Sequence, residues 1–176
     1  TCNRPAFLVE ALAGIVSQEL QPKEILIIDD CSEVSYQEAY NAIKDVNAQF
    51  LRLENKSGAN RARNIGIKES SGTVIAFLDD DDQWMEKKLE IQIGEMEKDY
   101  FKFSSTEGYF GFGTFDKKEQ YPLYNREHFN KVLKRKYRFT RYLKSGKLPK
   151  VWTEDFLKIH NCVIKSSAVI DTELLK

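Results

Sequence analysis

Phe7, Leu8, Ala11, Leu12, Ile15 and Val16 fall three and four residues apart, the spacing of one helix face. Asn3 can cap such a helix, and Pro5 sits just inside its start, where a missing N–H costs nothing. The helix is expected to end near Gln18. The period then changes. Glu24-Ile-Leu-Ile-Ile-Asp29 is a short, β-branched apolar run, which predicts a strand buried on both faces. Asp30-Cys-Ser32 forms a loop past its carboxyl end. A second helix is expected over Ser35–Val46, an alternating strand over Gln49–Glu54, and a turn at Asn55-Lys-Ser-Gly58. Ala59–Ser70 predicts a third helix, stopped by Gly72. Thr73–Leu78 is a second buried strand and runs directly into Asp79-Asp-Asp-Asp82, after which Trp84–Lys98 has helical spacing.

The first hundred residues therefore read α-β-α-β-α-β-α. Strands alternating with helices imply an α/β fold, a mostly parallel sheet covered on both faces. The later part is less regular. Phe101 and Phe103 start another strand, helices are expected near Arg126–Leu143 and Thr153–Ile159, and Cys162–Ile170 reads as a strand. No linker separates the two parts, so residues 1–176 are expected to form one domain.

Composition narrows the function classes. Lys plus Arg equal Asp plus Glu at 27 each, so no net charge draws the chain to nucleic acid. Three cysteines, Cys2, Cys31 and Cys162, are widely spaced, and the histidines are two, His128 and His160. These numbers argue against a disulfide framework, a zinc site or a Ser-His-Asp triad, and fit a reducing, cytoplasmic setting. No run reaches the ~18 apolar residues that span a bilayer. Residues 131–150 carry nine Lys or Arg and no acid. Such a stretch, interleaved with aromatics, is either a solvated helix face or a contact for phosphate, an anionic sugar or an anionic membrane surface.

In open α/β sheets ligands bind beyond the carboxyl ends of the strands. Asp29 and Asp30 end one strand there, and Asp79–Asp82 end another. Four consecutive carboxylates repel one another and call for a cation, from Lys, Arg or a metal. Oxygen ligands of this kind suit Mg2+ or Mn2+. A plain alternative is an acidic turn that caps the helix at Trp84. Gly58-Ala-Asn-Arg-Ala-Arg-Asn-Ile-Gly66 places a glycine turn before a helix carrying Arg61 and Arg63. It suits an anion but is neither a Walker motif nor G-x-G-x-x-G, and alone reads as an ordinary helix start.

The series is more specific than its parts. Thr1-Cys-Asn-Arg-Pro5, Glu24–Ser32, Gly58–Gly66 and Ala76-Phe-Leu-Asp-Asp-Asp-Asp-Gln-Trp84 occur in this order. The series resembles glycosyltransferase family 2, inverting enzymes of GT-A fold, most closely over residues 1 to about 92, with Asn161–Leu175 similar to a later family segment. The resemblance implies a doubly wound sheet, a nucleotide-diphosphate sugar donor, with a UDP-sugar favoured, and a divalent cation, Mn2+ or Mg2+. It places Thr1, Asn3, Asp30, Arg63, Asp79 and Asp80 at the nucleotide, with Arg61 a rival to Arg63, and gives the metal to Asp81. Asp30 would accept from uracil N3–H, and Asp79 would lie near the ribose. The acceptor would be a saccharide or a lipid-linked sugar, in bacterial surface polysaccharide assembly, at the inner face of the membrane.

Two departures accompany the resemblance. The apolar strand that opens the family domain does not precede Thr1, and the late Glu-Asp motif that supplies the family's general base is not reached by Lys176. The chain thus reads as an excerpt, with a nucleotide-sugar-binding half at 1–98 and a partial acceptor-side half at 99–176. Glu154-Asp155 imitates the late motif, but it precedes the family-like strand instead of following it. Asp155 is therefore the lesser candidate for the base. Two rivals stay open: a nucleotidyltransferase, and a nucleotide-sugar-binding module without catalysis.

Overall fold

A computed structural model describes residues 1–111, 116, 118–125, 127–128, 131 and 163–176. The basic stretch beyond Lys131, Asp155, and nearly all of the two helices expected over 126–143 and 153–159 lie outside the described residues. The chain divides into two compact units, Thr1–Ser104 with Ala168–Lys176, and Ser105–Ser167.

The first unit is built around two strand groups. Helix α1 spans Pro5–Val16 and strand β1 Ile25–Asp29, followed by α2 (Gln37–Ala42), β2 (Ala48–Arg52), α3 (Ala59–Glu69), β3 (Val74–Ala76), α4 (Lys88–Asp99) and β4 (Phe103–Ser104). β1 and β2 pair in parallel, Ile25 opposite Ala48 and Asp29 opposite Arg52. Burial along β1 alternates: Ile25, Ile27 and Asp29 are buried, Leu26 and Ile28 half-buried. Ile25 and Ile27 pack with Leu8 and Leu12 of α1 and with Tyr36, Ala39 and Ile43 around α2. On the other face, Gly66 of α3 lies against Ile28, where a Cβ would come 3.4 Å from the isoleucine Cγ1. Helices thus cover both faces of β1, as expected of an α/β fold. Leu12 is 1% exposed, and burying such a side chain contributes about 1.5–3 kcal/mol.

Several boundaries move, each for a local reason. Asn3 does not cap α1. Arg4 holds the cap position without a side-chain bond, while Asn3 adopts a left-handed φ of 55°. Its Oδ1 accepts instead from the Glu33 N–H at 2.8 Å. α2 is shorter than the predicted Ser35–Val46, because Ile43 leaves helical geometry and its N–H turns back to the Tyr40 carbonyl. α3 ends at an extended Ser70, two residues before Gly72. α4 begins at Lys88 rather than Trp84, leaving Asp79–Lys87 as loop. The N–H of Leu89, one of the unpaired donors at the start of α4, is satisfied by Gln18 Oε1 at 3.0 Å.

β3 pairs antiparallel with β7 (Val169–Asp171), which pairs antiparallel with β4 on its other side. β7 is the antiparallel element that alternating strands and helices did not announce. β3 is half-buried and three residues long, shorter than the run Thr73–Leu78 suggested. The strand expected from Cys162 starts only at Val169. Lys165–Ser167 form a 3-10 turn, in which Ser167 Oγ bonds the Ile164 carbonyl at 2.7 Å, a local bond that competes with extended pairing.

In the second unit β5 (Gly108–Tyr109) and β6 (Leu123–Tyr124) pair antiparallel. Tyr124 stacks on Phe110 at 5.3 Å and on His128 at 4.2 Å between ring centroids. Among the described residues no helix is long and apolar enough to cross a membrane.

Candidate active site

Two acidic ends stand in the first unit, at the carboxyl termini of β1 and β3. At β1, Asp29 is buried and accepts from the Ser32 N–H at 3.1 Å and from Ser32 Oγ. Ser32, wholly buried, passes the network on to the Tyr36 hydroxyl at 2.9 Å. That hydroxyl meets Thr1 Oγ1 at 3.1 Å and the Arg4 N–H at 3.4 Å. Thr1 also joins the edge of β1, bonding the Ile28 carbonyl and the Asp30 N–H. The opening loop Thr1–Arg4 is therefore fixed to the strand end by backbone and side chain together.

Asp30 holds a different partner. Its two oxygens accept from the N–H groups of Ser57 and Gly58 at 2.6 and 2.8 Å. Gly58 precedes α3 with φ +85°, a conformation that favours glycine. The N–H groups that the sequence suggested for an external anion are thus taken, at least in part, by this carboxylate. The Ser57 N–H above all, then the Gly58 N–H and the charge of Lys56, lower the Asp30 pKa against the opposing effect of burial.

At β3 the carboxylates meet arginines. The Asp82 N–H bonds the Asp79 carbonyl at 3.1 Å and closes a turn, so the acids cap no helix at Trp84. Arg4 straddles the turn, with Nη2 2.5 Å from Asp80 Oδ1 and Nη1 2.7 Å from Asp81 Oδ2. Burial disfavours its charge, yet Asp80 and Asp81 outweigh that and raise its pKa. Arg63 reaches Asp79 Oδ1 at 2.6 Å. Arg61, by contrast, is exposed.

One carboxylate oxygen each from Asp79, Asp81 and Asp82 can lie within 4.8 Å of one another. Three hard oxygen donors at this spacing fit Mg2+ or Mn2+. Whereas the family resemblance gives the metal to Asp81 alone, Asp79 and Asp82 join it in this set. Asp80 does not: it is 7% exposed, faces Arg4, and its Oδ2 is buried without a hydrogen-bond partner among the described residues.

The structure thus brings Thr1 and Asn3 to the end of β1, and Arg63 with Asp79–Asp82 to the end of β3. Arg4 links the two groups. Arg4, Ser32, Tyr36 and Gln18 were not singled out from sequence. Gln18 is buried and its Nε2 bonds the carbonyls of Gly14 and Met85 at 2.9 and 2.8 Å. With its Oε1 on Leu89, it ties α1 to the loop that follows the acids. The one available signal was Arg4 itself, a cation inside the opening motif of a chain with an acidic turn.

The chain is similar to known glycosyltransferases. An uncharacterized glycosyltransferase of Rickettsia bellii is 37% identical over 105 residues, 59% of this chain and 15% of that protein. The Escherichia coli UDP-Glc:alpha-D-GlcNAc-diphosphoundecaprenol beta-1,3-glucosyltransferase WfgD is 36% identical over 93 residues, 53% of this chain and 37% of that one. The crystal structure of S. aureus TarS 1-349 superposes with a TM-score of 0.65 and 20% identity, covering 99% of this chain and 46% of TarS. A complex of TarS 1-349 with UDP-GlcNAc aligns at 0.55 and 24% identity, over 58% and 31% of the two chains. The chain therefore spans less than half the length of each of these proteins, and TarS shares its fold. Residues 1–155 match the family described as Glycosyl transferase family 2, and the chain belongs to that family.

Proposed function

We propose that this chain is the nucleotide-sugar-binding part of a metal-dependent glycosyltransferase that uses a UDP-sugar and inverts the anomeric centre. The observation that carries the reading is the trio Asp79, Asp81 and Asp82, flanked by Arg4 and Arg63, beyond the carboxyl end of β3. Asp81, with Asp79 and Asp82, would hold Mn2+ or Mg2+. The cation supplies a Lewis acid for the departing diphosphate. Arg63, in reach of Asp79, is suited to a phosphate or the ribose, since a guanidinium binds phosphate through a planar fork. Asp30, Thr1, Asn3 and Asp80 complete the nucleotide end of the site. An ionised Asp30 only accepts hydrogen bonds, and each of its oxygens keeps a lone pair beyond the one facing the Ser57–Gly58 turn. It therefore favours a base that donates, as uracil does at N3. In inversion, an acceptor hydroxyl attacks from the face opposite the diphosphate while a carboxylate takes its proton.

The Escherichia coli relative is named for a diphosphoundecaprenol-linked acceptor, and a saccharide on such a carrier is the acceptor class proposed here. A role in surface polysaccharide assembly follows from that class. Residues 131–150 would hold the chain at an anionic inner leaflet, at about 1 kcal/mol per Lys or Arg near the surface. Liposome binding that ignores both salt and anionic lipid would remove this part.

The central test is calorimetry of UDP binding in EDTA and then in Mn2+. UDP is expected to bind more tightly with the cation, and more tightly than CDP, whose ring lacks the N3–H donor. Equal binding of UDP with and without Mn2+ excludes the metal. Equal binding of UDP and CDP excludes the base contact of Asp30.

A further inference from the structure

Arg4 already occupies part of the acid turn. We propose that it is a resident counter-cation that competes with the divalent metal for Asp81 and yields when a nucleoside diphosphate arrives, making metal binding conditional on nucleotide. The inference rests on the metal reading above and assigns a positioning role to a residue outside the metal's donor set.

The geometry supplies the competition. One guanidinium nitrogen contacts Asp80 at 2.5 Å and another contacts Asp81 at 2.7 Å. Asp80 is buried, and its second oxygen has no hydrogen-bond partner among the described residues. Losing Arg4 would leave that carboxylate uncompensated, so the Asp80 contact is the anchor. The Asp81 side chain is 50% exposed, and water can replace what Arg4 gives there. The contact with Asp81 is thus the one that exchanges. A full positive charge within hydrogen-bond reach of a metal ligand opposes a second cation at the same carboxylate. The arginine main chain does not have to move, because its N–H and Thr1 Oγ1 share the Tyr36 hydroxyl.

A diphosphate changes the balance. Its oxygens can accept the guanidinium that leaves Asp81, through the fork that suits phosphate. Asp81 then turns wholly to the metal. By linkage, UDP must raise the affinity for Mn2+ by the factor with which Mn2+ raises the affinity for UDP.

The experiment is a calorimetric titration of Mn2+ into the full chain, without and with saturating UDP, for wild type, Arg4→Gln and Arg4→Lys. Without UDP, Arg4→Gln is expected to bind Mn2+ at least tenfold more tightly than wild type, and Arg4→Lys to stay near wild type. The enhancement of Mn2+ affinity by UDP should shrink in Arg4→Gln. Unchanged or weaker Mn2+ binding by a folded Arg4→Gln overturns the proposal. If wild type binds Mn2+ neither alone nor with UDP, the metal reading fails and this inference falls with it. Should Arg4→Gln not fold, the Arg4 Nε–H resonance of 15N-labelled wild type, identified by its loss in Arg4→Lys, decides the matter. It should shift on adding UDP with Mg2+, and its constancy overturns the proposal.

Discussion

The carboxyl ends of β1 and β3 carry the same residue type and use it in opposite ways. Asp29 and Asp30 accept hydrogen bonds from short-range or backbone donors: the N–H and hydroxyl of Ser32, and the N–H groups of Ser57 and Gly58. Arg52 pairs with Asp29 only at 3.7 Å, beyond hydrogen-bond reach. Asp79, Asp80 and Asp81 meet the tips of long arginine side chains. A backbone donor cannot leave without unfolding a turn, whereas a guanidinium can swing away by side-chain rotation alone and regains rotamer freedom as it does. The first end is thus built to hold shape and the second to exchange partners. Aspartates at a sheet edge are told apart by what neutralises them.

The sharpest way to break this contrast is Asp81→Ala. It should abolish the dependence of UDP binding on Mn2+, read by calorimetry, while the unfolding free energy from urea denaturation changes by no more than about 0.5 kcal/mol, since removing one of several acids also relieves repulsion. A large loss of stability here would place Asp81 with the structural acids.

Asp29→Ala is expected to do the reverse. It leaves the N–H of buried Ser32 without its acceptor and turns the hydroxyl to Tyr36 alone, which costs about 1–3 kcal/mol in a urea denaturation curve. A variant as stable as wild type would show that the strand end needs no such knot.

Asp30 sharpens the comparison through pH. Its folded pKa lies below the unfolded one. Its stabilisation is therefore present above the unfolded value and is lost as pH falls through the folded value. Asp30→Asn should be less stable than wild type at neutral pH, and thermal melts of the two should converge as pH drops through the carboxylate range. A constant difference at every pH would remove the charge from the explanation.

The smallest effect is expected at Lys88, on the helix that follows the acid turn. Burial lowers its pKa to about 8, and its ammonium lies 4.6 Å from the centre of the Trp84 ring. Between about 8 and the ordinary lysine value the unfolded chain binds more protons than the folded one, so stability gains as pH rises through that window. The melting temperature of wild type relative to Lys88→Met should therefore climb by a few degrees from pH 8 to 10. Parallel curves would show that Lys88 is solvated.

The elements that could be read from sequence are those whose signal is local. α1 follows its helical apolar spacing, β1 its apolar run and α3 the glycine turn before it, and Asp79–Asp82 stand out because the acids are consecutive, whereas Arg63 is singled out by the family resemblance. What escaped was decided by distant partners. Asn3 is an ordinary cap by type, but it sits closer to a donor on Glu33, thirty residues on. α4 has no local cap, since its Leu89 N–H is met by Gln18, 71 residues earlier. β7 has too few apolar residues to declare its length and takes its pairing from β3 and β4. Arg4 belongs to the site only because the chain returns to it 76 residues later.

Gly14 carries no chemistry, yet a methyl group there would stand 3.1 Å from the backbone nitrogen of Trp84 and 3.3 Å from its carbonyl oxygen. Those atoms are main chain and cannot rotate aside. The residue therefore acts as a spacer that sets how deeply the segment just after the acids seats against α1. In a deep mutational scan alanine there should be less favourable than at other helical glycines, and larger side chains should be excluded, though every carboxylate and arginine is still in the sequence.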